Sequence, residues 1–310
     1  MSGKPSILIV GGTGFIGRNV AREAISRGLQ VTIISKSDYS PDKRLKGVEY
    51  ISVDITNEKI LLSKLKDKPF DYVLNVGGYV NHANYFNDGD KVFKVHFNGT
   101  KNLVNCINKS GLKSFVQIGS SDEYGKNSAP QNENQRELPI SPYSFAKVAA
   151  THFLQMLHRT EGFPAVILRP FLVYGPEQDG NRFIPQIIKG CINNDNFPTS
   201  AGEQQRDFCY IDDIVDVILL ALSNEKAHGE VINIASGEPI TIRETINIVQ
   251  KIVGYGKPEF GKIPYRKCEN MTLFADISKA KELLKWTPEV AIEDGLQRTI
   301  NYQILNTESQ

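Results

Sequence analysis

Short, mostly apolar segments recur through the first 120 positions, at 7–10, 31–34, 50–53, 72–76 and 115–118. Longer amphipathic stretches separate them, and those at 19–27 and 101–108 read as helices. Runs without apolar–polar alternation belong to strands covered on both faces. Their alternation with helices predicts an α/β fold built on a doubly wound parallel sheet. Beyond about residue 170 the rhythm loosens, with Gly175, Pro176, Gly180, Pro185 and Pro198 breaking the pattern. Segments 210–222 and 242–253 still read as helices. The expected organisation is a dinucleotide-binding domain over 1–170, to which later segments return. A smaller, interleaved C-terminal α/β lobe over 171–310 mainly serves a substrate. The last five residues read as a frayed tail.

Composition narrows the function classes. With 36 Lys and Arg against 35 Asp and Glu, the chain has no global field to draw it to nucleic acid or a membrane. No apolar run reaches membrane-spanning length, and the first residues are interrupted by glycine too early for a signal peptide. Cys106, Cys191, Cys209 and Cys268 have neither a paired nor a zinc-like spacing, so free thiols in a cytoplasmic protein and no metal site are expected. The sequons at Asn98, Asn108 and Asn270 then read as chance, and His82, His96, His152 and His158 as packing or surface residues.

Between the first strand and the first helix lies Gly11-Gly12-Thr13-Gly14-Phe15-Ile16-Gly17. Three glycines spaced by three suit a dinucleotide. Gly11 turns the strand, Gly14 lets backbone approach a pyrophosphate and Gly17 lets helix meet sheet. The helix N-terminus then offers N–H groups to the anion. An NAD site usually ends its second strand with a carboxylate for the ribose 2′-hydroxyl. Here Ser35 and Lys36 stand there, with Arg18 nearby, so NADP(H) is expected in preference to NAD(H), which remains possible. Asp54, after the third strand, is placed for the adenine amino group.

Tyr143 and Lys147 are four apart on a segment that Pro142 starts as a helix, so they share one face. Ser120 and Ser121 follow an apolar strand, at the sheet edge where α/β sites form. A phenol with a pKa of about 10 is a poor proton carrier at neutral pH. A neighbouring ammonium would favour the phenolate. Tyr143 would then exchange a proton with a substrate oxygen that Ser120 or Ser121 orients.

Together these segments resemble the extended short-chain dehydrogenases/reductases of the nucleotide-sugar epimerase, dehydratase and reductase group. GGTGFIG, Asn98-Gly99-Thr100, SSDEYG, SPYSFAK, Leu168-Arg169-Pro170, Tyr174-Gly175-Pro176, Arg206-Asp207-Phe208 and Trp286-Thr287-Pro288 carry the likeness nearly end to end. The resemblance implies a Rossmann fold, a nucleotide-sugar substrate and a homodimer joined through helices near 91–108 and 143–160. It implies that Asn98 supports the active-site backbone. Arg206 would grip the diphosphate, and Arg266 and Glu269 would close over base or ribose. The full cofactor set comprises Gly11, Thr13, Gly14, Phe15, Ile16, Gly17, Arg18, Ser35, Lys36, Asp54, Ile55, Val76, Gly77, Gly78, Tyr143, Lys147 and Pro170. Tyr79, Asp122, Glu123, Arg182, Arg206, Arg266 and Glu269 form the substrate set.

Within that group, Ser121 and Asp122 occupy the positions of the dehydratases' acid and base, which disfavours dehydration. Ser35-Lys36 and the serine segment point to an NADPH-dependent 4-ketoreductase of a 4-keto-6-deoxy sugar, with an NAD-dependent 4-epimerase as the alternative. A non-catalytic dinucleotide sensor is the alternative of another class, set against the presence of both Tyr143 and Lys147. Two departures stand out. Gly77-Gly78 replaces a common alanine pair, which is expected to enlarge the nicotinamide pocket, and Lys285 stands where a glycine before Trp286 is usual.

Overall fold

A computed structural model describes residues 4–265 and 269–307. In chain order the strands are β1 (Ser6–Val10), β2 (Gln30–Ser35), β3 (Glu49–Ser52), β4 (Tyr72–Asn75), β5 (Ser114–Ile118), β6 (Ala165–Pro170), β7 (Leu172–Tyr174), β8 (Asn196–Pro198), β9 (Gln205–Tyr210), β10 (Val231–Ile234), β11 (Pro239–Thr241), β12 (Lys257–Glu259) and β13 (Thr272–Leu273). Seven form one parallel sheet in the order β3-β2-β1-β4-β5-β6-β10. The chain runs outward from β1 in one direction and then resumes at β4 in the other. The resulting crevice at the carboxyl ends of β1 and β4 is where ligands enter such sheets.

The helices are α1 (Phe15–Ser26), α2 (Glu58–Leu65), α3 (Asp90–Phe93), α4 (Gly99–Cys106), α5 (Pro142–Glu161), α6 (Phe183–Ile192), α7 (Ile211–Leu222), α8 (Ile242–Val253), α9 (Ser278–Leu283) and α10 (Ile292–Thr307). A π-helical turn, Lys94–Asn98, joins α3 to α4. In α1, Gly17, Val20, Ala21 and Ala24 make one buried stripe. α1 starts four residues before the expected helix, because Gly14 is already its extended N-cap. α5 starts sharply for three local reasons. Ser141 caps it in a box with Ser144, Pro142 fills the first turn, and at the other end Gly162 closes it in the left-handed conformation.

β10 returns to the large sheet from beyond residue 170, and α7 packs against α1. The remaining strands build the second lobe. β9 is flanked by β11 and β13 and pairs with β7, while β8 and β12 form a separate pair. These strands have two to six residues, too short for an apolar pattern to reveal. Trp286 is buried, and Lys285 before it has φ of +53°, the left-handed region where glycine is at ease. That geometry accounts for the glycine usual there. Cys106, Cys191 and Cys209 are buried free thiols.

Candidate active site

Each of the three glycines of the first turn meets a different steric demand. Gly11 has φ of +79°, and a Cβ there would lie 2.8 Å from Gly77 Cα, so β1 and β4 meet backbone to backbone at this point. A Cβ on Gly17 would lie 2.4 Å from Gly11 O and 2.7 Å from Gly12 Cα, so only glycine lets α1 close onto the turn. A Cβ on Gly14 meets protein only at Gly11 O, 3.3 Å away, and otherwise projects into open space. The turn therefore leaves a cradle over a helix N-terminus that a side chain would fill, which fits the diphosphate of a dinucleotide. Thr13, Phe15 and Ile16 line this same turn.

The cations expected around a 2′-phosphate are already engaged. Lys36 Nζ lies 3.1 Å from Asp54 Oδ2. Arg18 and Arg22 both pair with Glu177, at 2.9 and 2.8 Å. Arg18 also donates to Thr13 O, and Ser35 Oγ donates to Ser37 O. Burial pushes the Asp54 carboxyl up. Hydrogen bonds from Thr56 and the Lys36 ammonium outweigh it, and the carboxyl stays below its ordinary range. Ile55 beside it is buried, with its carbonyl held by Asn102.

At the end of β5 the reactive side chains converge. Lys147 is buried and donates from Nζ to Ile118 O at 2.7 Å. Its nitrogen lies 5.8 Å from the centre of the Tyr143 ring. Burial lowers its pKa to about 8, against the pull of Glu123 and Asp122. Tyr143 is 5% exposed, and the Ser120 hydroxyl lies near enough to its phenol to favour the phenolate. Ser120 is thus the serine on the phenol, while Ser121 is buried beside it. Lys147 was expected to bring the phenol down. The protein's own groups drive it up, first by burial and then by the Asp122 carboxylate, which outweigh the favourable Ser120 hydroxyl.

Asp122 and Glu123, read together as substrate ligands, part company. Glu123 is fully buried, its Oε1 accepting from Ser120 N at 2.9 Å and its Oε2 from Thr151 Oγ1 and Arg169 Nη2, both at 2.8 Å. With both oxygens occupied inside the protein it anchors the serine turn and does not face a sugar. Asp122 stays at the cleft, 3.9 Å from His82 Nε2, and burial raises its pKa. The His82 ring meets Tyr143 edge-on at 5.7 Å.

On the substrate side, Arg182 stands at the N-cap position of α6 and its charge reaches Tyr143. Tyr79 is 45% exposed at the rim. Arg206 and Glu269 meet as an ion pair rather than as two separate ligands. Pro170 is buried at the end of β6, Val76 and Gly77 continue β4, and Arg266 lies outside the described residues.

Two further expectations change. Asn98 is exposed and borders a cleft with Thr56, Lys94 and Lys101, away from the phenol. The residue that does reach the site from this turn is His96, which packs on Tyr143 and hydrogen-bonds Tyr79 O. Gly78 does not enlarge a pocket, because the His96 ring fills the space a Cβ would take. His96 carried no signal in the sequence, since a π-helical turn shifts which residues share a face. Among the described residues, no cluster of three or more His, Cys, Asp or Glu is placed to hold a metal, and no helix is long and apolar enough to cross a membrane.

Comparison with known proteins agrees with this layout. The NAD dependent epimerase/dehydratase family matches residues 7–235. A UDP-glucuronate 4-epimerase of Thermodesulfobacterium geofontis is 30% identical over 317 residues, 97% of each chain. A crystal structure of UDP-glucose 4-epimerase from Thermotoga maritima with UDP-glucose superposes with a TM-score of 0.90 at 28% identity, covering 97% of this chain and 99% of that one. The UDP-glucuronic acid 4-epimerase of Bacillus cereus, solved with UDP-glucuronic acid and NAD, has a TM-score of 0.86 at 28% identity over 97% and 99%. The chain belongs to the NAD dependent epimerase/dehydratase family and is an enzyme of that nucleotide-sugar class.

Proposed function

We propose that this enzyme is an NAD-dependent 4-epimerase of a UDP-activated sugar. The observation that carries the reading is the Ser120–Tyr143–Lys147 cluster beside a glycine cradle whose neighbouring cations are already paired. The 4-ketoreductase reading rested on Ser35 and Lys36 as a 2′-phosphate site. Lys36 pairs with Asp54 and Arg18 with Glu177, so binding that phosphate would draw both cations from carboxylate partners. The similar proteins named as 4-epimerases support the same choice.

A dinucleotide held by its diphosphate at the glycine cradle would supply reversible hydride exchange with a sugar carbon, and hydride return to the opposite face of that carbon would invert it. Tyr143 takes the proton from the sugar hydroxyl and returns it, and Ser120 holds the oxygen in place. Lys147 places positive charge beside the phenol, opposing the upward push of burial. Arg206 leaves Glu269 to grip the diphosphate, and Asp122, with His82, faces the sugar. Exposed Tyr85 and Phe86 just before α3, and Phe145 and Met156 on α5, support a homodimer.

The test incubates the purified enzyme with NAD and UDP-glucose, UDP-galactose, UDP-glucuronate or UDP-galacturonate, and follows the sugars by NMR. Expected is conversion of one pair to a mixture with no net change in NADH absorbance, and weaker binding of NADP than of NAD. Stoichiometric NADPH consumption with a 4-keto nucleotide sugar, without epimerisation, would overturn the reading.

A further inference from the structure

Gly78 and His96 are matched in shape. A Cβ on Gly78 would lie 2.2 Å from His96 Cε1, 2.8 Å from Nδ1 and 2.9 Å from Nε2, closer than real side chains approach. The imidazole thus occupies the volume that any other residue at 78 would need. It is 4% exposed. Its Nε2 lies 2.9 Å from Tyr79 O. A carbonyl only accepts, so Nε2 carries the proton and Nδ1 is left as an acceptor. The opposite contact is with the reactive phenol. The His96 and Tyr143 rings meet edge-on with centroids 5.0 Å apart and planes at 85°. One side chain therefore ties the backbone after β4 to the ring at the start of α5. Burial, and then the Lys147 charge, push the imidazole pKa down to about 3, so it stays neutral.

We infer that His96 is a positioning residue: its ring, admitted by the missing side chain at Gly78, holds the Tyr143 ring against Ser120 and fixes the 77–79 backbone at the end of β4. The inference rests on the role proposed above for Tyr143. It makes Gly78 and His96 one unit, in which neither residue can change without the other.

Four variants test it: His96→Ala, His96→Gln, Gly78→Ala and the double Gly78→Ala/His96→Ala. The first readout needs neither cofactor nor substrate. Phenol ionisation at Tyr143 is read as the absorbance difference between each variant and the same variant carrying Tyr143→Phe. The other groups facing this phenol (Lys147, Asp122, Glu123, Arg182 and His82) are retained throughout. Removing the ring admits water, so His96→Ala moves the ionisation to lower pH by about one pH unit. In the NAD-loaded enzyme, kcat for sugar interconversion falls about tenfold or more while KM stays within about twofold. Gly78→Ala expels the ring, at a φ of +121° that itself strains a side chain, and reproduces both effects, and the phenol ionisation of the double variant shifts no further than that of either single one. His96→Gln keeps a donor for Tyr79 O and retains an intermediate kcat. Should His96→Ala fail to fold, His96→Gln and Gly78→Ala carry the comparison. An unchanged phenol ionisation, or effects of the two single changes that simply add, would overturn the inference. A wild-type enzyme that interconverts no UDP-sugar would overturn the reaction assigned to Tyr143, and the phenol titration would still decide the role of His96.

Discussion

Arg169 on β6 reaches Glu123 in the serine turn at 2.8 Å, and neither side chain is exposed at all. The same guanidinium takes Glu137 at 2.7 Å and lies over the Tyr124 ring, 4.8 Å from its centre. Removing one partner leaves the other charged and buried, which costs far more than the pair contributes. Arg169→Met and Glu123→Leu should each destabilise the protein by about 3–5 kcal/mol. Chemical denaturation measures it. A loss in the range of an exposed ion pair would show that the charge finds another partner.

Gly14 and Gly17 should fail in different ways. Gly17→Ala forces a Cβ to within 2.4 Å of Gly11 O, so it disrupts the turn itself and lowers thermal stability together with NAD binding. Gly14→Ala meets only Gly11 O, at 3.3 Å, a tight contact that a small shift relieves, so it should lower the melting temperature far less than Gly17→Ala while weakening NAD binding. Melting and NAD titration on the two variants separate the outcomes. Equal stability losses would mean the cradle is not open at Gly14.

Tyr143→Phe removes the proton carrier and should lower turnover about a hundredfold or more with the fold intact. Near-normal turnover rejects that role.

Lys147 gives a pH signature. Its folded pKa, about 8, lies below the ordinary 10.5. Between those values the unfolded chain holds the proton more firmly. Its contribution to stability is therefore lowest below pH 8 and rises as pH climbs toward 10.5. Lys147→Met should flatten that rise in a melting series across pH 7–10. In the active enzyme, loss of the ammonium above about pH 8 should also depress kcat/KM. An unchanged alkaline profile in the Met variant would refute the assignment.

Lys285 holds a left-handed backbone that costs a side-chain residue about 1 kcal/mol. Lys285→Gly should recover most of it as a higher melting temperature with unchanged activity. A lower melting temperature would mean that the gain in chain entropy of the unfolded state exceeds the relieved strain.

Five of the seven strands of the large sheet were legible because they are mostly apolar segments, while β6 and β10 were not read as strands; the glycine turn and the Tyr143–Lys147 spacing are local patterns. What escaped the sequence depends on contacts across it. The partner that draws Glu123 inward, Arg169, lies 46 residues away on another strand. Lys36 looked like an anion site because Asp54, its partner, sits after the next strand. His96 falls on a π-helical turn, where spacing by 3.6 residues no longer tells which side chains share a face. The second lobe's strands are too brief to show a period, so only its helices could be anticipated.

The seventh strand, β10, arrives after the chain has already built much of the second lobe, and it is the one that covers the outer flank of β6. Until residue 234 has been synthesised, a nascent chain carries the β6 backbone with bare amides and carbonyls along that flank, and Arg169 sits on that same strand. A fragment ending at residue 170 would leave β6 as an unpaired edge, a template for association with other chains. The large sheet is therefore complete only when residues 231–234 are in place.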